Sequence, residues 1–185
     1  MTPPFGSMPP SLTTERLRLR PWADDDVDFV FDTYSRWDVK EFLGDRPRVM
    51  TARDEAVAAI ARWRAASGPV LGLWAVELVD TGAVLGNLLL KDTPASGPTE
   101  PLSPSGDIEI GWHFHPDAWG HGYATEAAGA VLAHAFGNGI ERVIAVTYPD
   151  NTPSQRVCTR IGLRHIGPTD RYYNATFELF ETTGY

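Results

Sequence analysis

Between Asp107 and Phe136 a two-residue repeat gives way to a helical one, with glycines at the join. Ile108, Ile110, Trp112 and Phe114 alternate with Glu109, Gly111 and His113, the pattern of a strand with two unlike faces. Pro116 ends the strand. After Gly120 and Gly122, residues Ala124, Ala127, Ala128, Val131, Leu132 and Ala135 recur at helical spacing until Gly137-Asn138-Gly139 stops them. The first turn of such a helix leaves backbone N–H groups unpaired and carries the positive end of the dipole. Glycines there let a ligand reach the backbone. Trp119, Gly120, His121, Gly122, Tyr123, Ala124 and Thr125 therefore form a candidate site for a phosphate or pyrophosphate. A plain strand-to-helix turn fits the same letters.

Two nucleotide-site patterns fit poorly. A dinucleotide turn follows the first strand of a βαβ unit with G-x-G-x-x-G spacing. Here the glycines come late in the chain, after several strands, and the third glycine is missing. No G-x-x-x-x-G-K-[ST] run exists.

The rest of the chain reads as one mixed α/β domain of 185 residues. Residues 1–11, rich in Pro, Gly and Ser, are expected to be a flexible arm, and 12–185 a single domain. Leu17 and Leu19 mark a first strand with arginines on its wet face. Asp24-Asp25-Asp26 opens a helix striped by Val27, Val30, Phe31 and Tyr34. Thr51 to Asp54 reads as a capping box for a second helix. Leu71–Val79 and Ala83–Lys91 form a hairpin about Asp80-Thr81-Gly82. Residues 92–106 read as a long loop, best taken as an insertion. Arg142–Tyr148 is a buried strand, Asn151 and Ser154 start a short helix, and Gly162 stops it. Two closing strands, 163–166 and 176–180, flank a turn at Gly167–Asp170. The order is β-α-α-β-β-β-α-β-α-β-β, a mixed, mostly antiparallel sheet with helices on both faces.

Composition narrows the partners. A net charge of −8 argues against nucleic acid and suits an amine. One cysteine permits no internal disulfide, which fits a reducing cytoplasm. No apolar run has membrane-spanning length and no signal-peptide pattern opens the chain, so no membrane association is expected.

Trp119-Gly120-His121-Gly122-Tyr123-Ala124 resembles the Q/R-x-x-G-x-G/A turn of the GNAT N-acetyltransferase superfamily, with Trp119 in place of the usual first residue. The longer run to Glu126, and Thr14-Glu15-Arg16-Leu17 near the start, are similar to its ribosomal-protein RimJ/RimL-type branch. The resemblance covers nearly the whole chain from Leu12. It implies the GNAT fold, acetyl-CoA as co-substrate, and a primary amine acceptor, either a protein N-terminus or a small molecule. It further implies that the turn cradles the CoA pyrophosphate, that backbone groups of Trp112 and Phe114 hold the pantetheine arm, and that Asn151 and Ser154 lie beside it. A homodimer is suggested only by this analogy.

Acyl transfer to an alkylamine requires that the ammonium first lose a proton. A carboxylate in the strand can take it, and Glu109, within an acid-Ile-Gly run that the branch often shares, is the candidate base. A salt-bridged or solvent-facing Glu109 is the simpler alternative, and His113 is a fallback base. His113, His115 and His121 lack a third ligand at convincing spacing, so no metal is expected. Glu126 in the first helical turn is expected to point away from a phosphate. The family commonly has a tyrosine as general acid where this chain has Cys158, which reads better as a small buried hydrophobe. Tyr172, Tyr173, water or no dedicated acid at all remain open. A non-catalytic acyl-CoA-binding module is the alternative reading of the whole.

Overall fold

The computed structural model describes residues 8–44 and 46–183. Its eight strands form one sheet in the order β1-β2-β3-β4-β5-β6-β8-β7. The strands are β1 (Leu12–Thr13), β2 (Leu17–Pro21), β3 (Gly72–Leu78), β4 (Val84–Pro94), β5 (Pro104–Phe114), β6 (Arg142–Thr147), β7 (Arg164–Thr169) and β8 (Phe177–Thr183). All neighbours are antiparallel except β5 and β6. The helices are α1 (Val27–Tyr34), α2 (Trp37–Lys40), α3 (Arg53–Ala65), α4 (Tyr123–Gly137) and α5 (Thr152–Arg160).

Period-2 alternation sorts the sheet into two apolar faces. Leu17, Leu19, Trp74, Val76, Leu88, Leu90, Ile110 and Phe114 pack with Ala127, Ala128, Val131 and Leu132 of α4. Leu73, Ala75 and Leu89 face the other way and meet Val30, Tyr34, Ala56 and Ile60 of α1 and α3. The sheet is thus covered on both sides, as its pattern requires.

Several expectations need correction. Both ends of the segment 92–106 are strand: β4 runs to Pro94 and β5 starts at Pro104, so the loop is the shorter stretch between them. At these ends ladder pairing overrode the Pro/Ser/Gly composition. Gly167-Pro168-Thr169 is not a turn but part of β7, with the register shifting between His165 and Gly167. A proline is tolerated there because β7 is an edge strand. The true turn lies between Thr169 and Phe177 and holds Tyr173 and Asn174 at φ of 57° and 54°.

The charges of β2 are not simply wet. Arg18 and Arg20 each place Nε 2.5 Å from a Glu77 carboxylate oxygen. Arg20 also forks onto Asp26 at 2.8 and 2.9 Å. Asp26 is therefore more than a helix-dipole partner. The α3 cap is displaced from the expected box: Ala52 is the N-cap, and Glu55 reaches back to the Thr51 N–H at 3.0 Å. Of the expected N-terminal arm, residues 1–7 lie outside the described residues. Pro10 accepts a 2.8 Å hydrogen bond from the Trp74 indole, which anchors the arm's end.

Candidate active site

The parallel join of β5 and β6 is short. It pairs only Ile108 with Val143 and Glu109 with Ile144, whereas β4 accompanies β5 all the way to Phe114. Beyond Glu109 the two strands part and open a cleft of about 300 Å³. Ile110, Gly111, Trp112 and His113 line one wall, Ala145 to Tyr148 the other, and Phe42 to Gly44 add a third side. The ladder dictates what the first wall offers. The His115 N–H donates to Leu85 O at 2.9 Å. Hydrogen-bonded pairs alternate in an antiparallel ladder, so the N–H and C=O groups of Ile110, Trp112 and Phe114 turn away from β4, into the gap. The Phe114 carbonyl is already taken by the Trp119 indole at 2.9 Å.

Glu109 sits where the strands part and is 9% exposed. The Tyr173 hydroxyl donates to its Oε2. Lys91 Nζ lies 4.0 Å from the same oxygen and 5.0 Å from the centroid of the Tyr173 ring. Burial pushes the Glu109 carboxyl above the usual carboxylate range, while Lys91 and Tyr173 pull it back. Tyr173 is held from behind by the remnant of the long loop. Ser96 N–H donates to Arg171 O at 2.7 Å, and the Asn174 amide pairs with the backbone of Gly97.

His113 shares the strand face of Glu109 and, itself half-buried, closes a chain whose inner bonds are buried. The Trp22 indole donates to Asn87 Oδ1 at 3.2 Å, and Asn87 Nδ2 donates to the Tyr34 oxygen at 3.2 Å. The Tyr34 hydroxyl lies 2.9 Å from His113 Nδ1. With the Tyr34 oxygen accepting from Asn87, His113 Nδ1 is the acceptor at hand for the hydroxyl proton, and that arrangement assigns the ring proton to Nε2. Burial, aided by the Lys40 and Lys91 charges, lowers the imidazole pKa to about 3. A neutral His113 with its proton on Nε2 presents a donor at that nitrogen. His115 pairs with Asp32 at 3.0 Å instead. Among the described residues no group of three or more His, Cys, Asp or Glu could hold a metal ion.

At the glycine turn, Gly120 and Gly122 adopt φ of 79° and 80°, and Gly122 is the N-cap of α4 with no side-chain cap. The first N–H groups of α4 are left for an anion. Glu126 turns away from them, accepting from Thr14 Oγ1 at 2.6 Å and Arg16 Nε at 2.7 Å. Arg16, which the sequence reading passed over, donates to His121 O at 3.1 Å and lies 4.8 Å from the Tyr123 ring centroid. It brings a cation to the turn. His121 stacks on Tyr123. Ala124 packs against the core, and Trp119 is half-exposed.

Asn151 and Ser154 both line the cleft, and Asn151 Oδ1 caps α5 by accepting the Ser154 N–H at 3.2 Å, which leaves its amide N–H donors over. Thr147 also lines the cleft, and its buried hydroxyl has no hydrogen-bond partner among the described residues. Cys158 lies in the main core, where burial pushes its thiol up to about 12. It does not line the cleft. The resemblance places the irregular segment 35–50, with Phe42 and Gly44, at the acceptor side, whereas sequence reading missed Lys91 and Tyr148 and left Tyr173 as one option among several. Only the alternation linking Lys91 to the Glu109 face of the hairpin could have found any of them.

A sheet splayed beside an uncapped glycine turn, with a buried carboxylate at the point of parting, defines a protein of the N-acetyltransferase fold. The chain belongs to the GNAT acetyltransferase family, whose domain, described as "Acetyltransferase (GNAT) domain", matches residues 16–164. It is similar to the uncharacterized N-acetyltransferase YoaA of Bacillus subtilis, 27% identical over 95% of both chains. In fold it is similar to RimJ of Mycobacterium smegmatis, solved with CoA-disulfide, at a TM-score of 0.70, 21% identity and coverage of 90% of this chain and 81% of the other. The RimL ribosomal L7/L12 α-N-protein acetyltransferase, solved with coenzyme A, superposes at a TM-score of 0.71 with 16% identity, covering 95% and 98% of the two chains. No helix among the described residues is long and apolar enough to cross a membrane.

Proposed function

We infer that this acetyltransferase moves an acetyl group from acetyl-CoA to a primary amine by direct attack within a ternary complex, with Glu109 as the base. The observation that carries the reading is the position of Glu109, buried where β5 and β6 part. A general base works best with a pKa near the operating pH. Burial moves Glu109 in that direction, and Lys91 and Tyr173 keep it ionisable.

The residues present suit an acyl-CoA. Outward-turned backbone groups of Trp112 and the spare Asn151 amide offer partners for an arm rich in amides. Ser154 borders the same wall. The uncapped N–H groups from Gly120 to Thr125, with Arg16 beside them, suit a pyrophosphate. Acetyl-CoA, when bound, supplies a thioester carbonyl open to a nucleophile. Glu109 accepts a proton from the acceptor ammonium. The freed nitrogen lone pair forms the N–C bond as the C–S bond breaks; the nitrogen sheds its second excess proton on becoming an amide, and the departing thiolate takes up one proton in balance. Cys158 is too deeply buried to give that proton. Tyr173, already donating to Glu109, is the nearest hydroxyl to the base.

The test couples two readouts. Acetyl-CoA, but not ATP or NAD, should raise the melting temperature, and thiol release over an amine panel should depend on Glu109. CoA binding with no thiol release from any amine would instead indicate a binding module.

A further inference from the structure

Resting on the acetyltransferase reading, we propose that the acceptor is a small primary amine that also carries a carboxylate, and that Lys40 and the Nε2–H of His113 bind this carboxylate while the amine meets Glu109.

The overall charge of −8 suggests cationic acceptors, but within the cleft the charged lining residues, Lys91 and Glu109, balance each other, and Lys40 stands outside the lining. Two lysines act on His113 from its surroundings, Lys40 and Lys91. Lys91 is occupied by Glu109. Lys40, the last residue of α2, is half-buried, and no ion pair among the described residues includes it. The charges that act on it are Arg48 and Glu55, which pair with each other at 2.5 Å. Its ammonium lies 5.9 Å from the centroid of the Tyr34 ring, whose hydroxyl bonds His113. A half-buried ammonium without a counter-ion is costly unless a ligand supplies one.

The second donor is independent of the first. Tyr34 occupies His113 Nδ1, and the neutral ring carries its proton on Nε2, for which no partner is recorded among the described residues. His113 lines the cleft. The flexible Lys40 stem, anchored beside the Tyr34 ring, can carry its ammonium toward this N–H, and the two together are donors suited to a carboxylate. Neither would suit the second ammonium of a diamine.

Spacing sets the size. Glu109, Gly111 and His113 share one face, so the outer two backbones lie roughly 13 Å apart. Gly111 raises no side chain between them, and a Cβ there would come within 3.1 Å of Leu89. Allowing a hydrogen bond of about 3 Å at each end leaves about 7 Å between amine and carboxylate. That is the span of a five-carbon amino acid. The cleft of about 300 Å³ is at the small end for ligand sites and must also admit the thioester, which favours a small molecule over a folded protein end.

The experiment compares kcat/KM for 5-aminopentanoate, 5-aminopentanamide and 1,5-diaminopentane, which differ only at the end remote from the amine. Peptides beginning with Glu or Gln form a second arm. The expected result is a preference of about tenfold or more for the acid over the amide and the diamine, as for a charge-assisted hydrogen bond, and a collapse of the ratio in Lys40→Met. A preference for the Glu-first peptide over 5-aminopentanoate would assign the same carboxylate site to a peptide acceptor. Equal or better turnover of the amide or the diamine would overturn the proposal, as would an unchanged ratio in Lys40→Met. If that variant does not fold, the wild-type ratio decides alone. Calorimetry with acetyl-CoA runs in parallel. Absence of binding removes the acetyltransferase reading itself, whereas binding with carboxylate-indifferent turnover removes only this inference.

Discussion

The hydroxyl of Tyr173 donates to the carboxylate of Glu109 across 64 residues of sequence, from a backbone held at φ 57°. The bond favours the charged form of an otherwise desolvated acid. Tyr173→Phe should therefore push the Glu109 pKa further up. The rise of kcat/KM with pH, which reports ionisation of the base, should move to higher pH in the variant. An unmoved acid limb would mean that Tyr173 does not act on the base.

Glu109→Gln keeps the shape and an acceptor for Tyr173 but cannot take a proton. Turnover should fall by about 10²–10⁴, with acetyl-CoA affinity unchanged by calorimetry. The same variant tests burial. The native carboxyl sits above its unfolded value near 4.3, so above that pH the native state holds more protons than the unfolded state and loses stability as pH rises. Glu109→Gln should thus be more stable than wild type at pH 8, with the gap shrinking toward pH 4 in urea melts.

His113 gives a slope of the other sign. Its native pKa of about 3 lies below the unfolded value near 6.5, so between these the unfolded state binds more protons and stability falls with acid. His113→Asn can still accept from Tyr34 but does not titrate. Subtracting its urea midpoints from those of wild type over pH 4.5–7.5 should leave a difference that becomes more negative for wild type as pH falls. A flat difference would show that the imidazole is not neutral and buried as described.

The faces of the sheet were legible because period-2 and period-3.6 patterns act locally: Ile110 and Phe114 face α4, and Glu109 and His113 the reverse, as their alternation implies. The glycine turn was legible because φ near 80° is open to few other residues. Contacts that depend on long-range register were not. Nothing local says that β5 and β6 part after Glu109, or that Tyr173 returns to meet it. The Arg20–Asp26–Glu77 network was misread because isolated charges on a strand look solvated until their partners are placed.

Cys158 stands where the resemblance leads one to look for an acid. It is fully buried against the core and its thiol is pushed up to about 12. Cys158→Ala should retain kcat while losing about 1 kcal/mol of stability through the small cavity it leaves. Thiol reagents should label the native protein only as fast as it unfolds. A large loss of kcat with intact CoA binding would return Cys158 to the reaction.

Gly122 tests the glycine turn most directly. A methyl group there meets nothing closer than Arg16 Nη2 at 3.7 Å, so a Gly122→Ala variant suffers no steric clash. Its cost is conformational: φ of 80° in the left-handed region penalises an L side chain by about 1–2 kcal/mol. Relief comes by rotating the peptide, which turns the N–H groups at the start of α4 off their common target. Acetyl-CoA should bind about tenfold more weakly, an effect of the same size as that strain. Gly129→Ala, inside α4 with nothing within 4 Å of the added methyl, serves as the control and should leave affinity unchanged. Equal affinities for both variants would place the pyrophosphate away from the turn and leave the uncapped N–H groups to solvent.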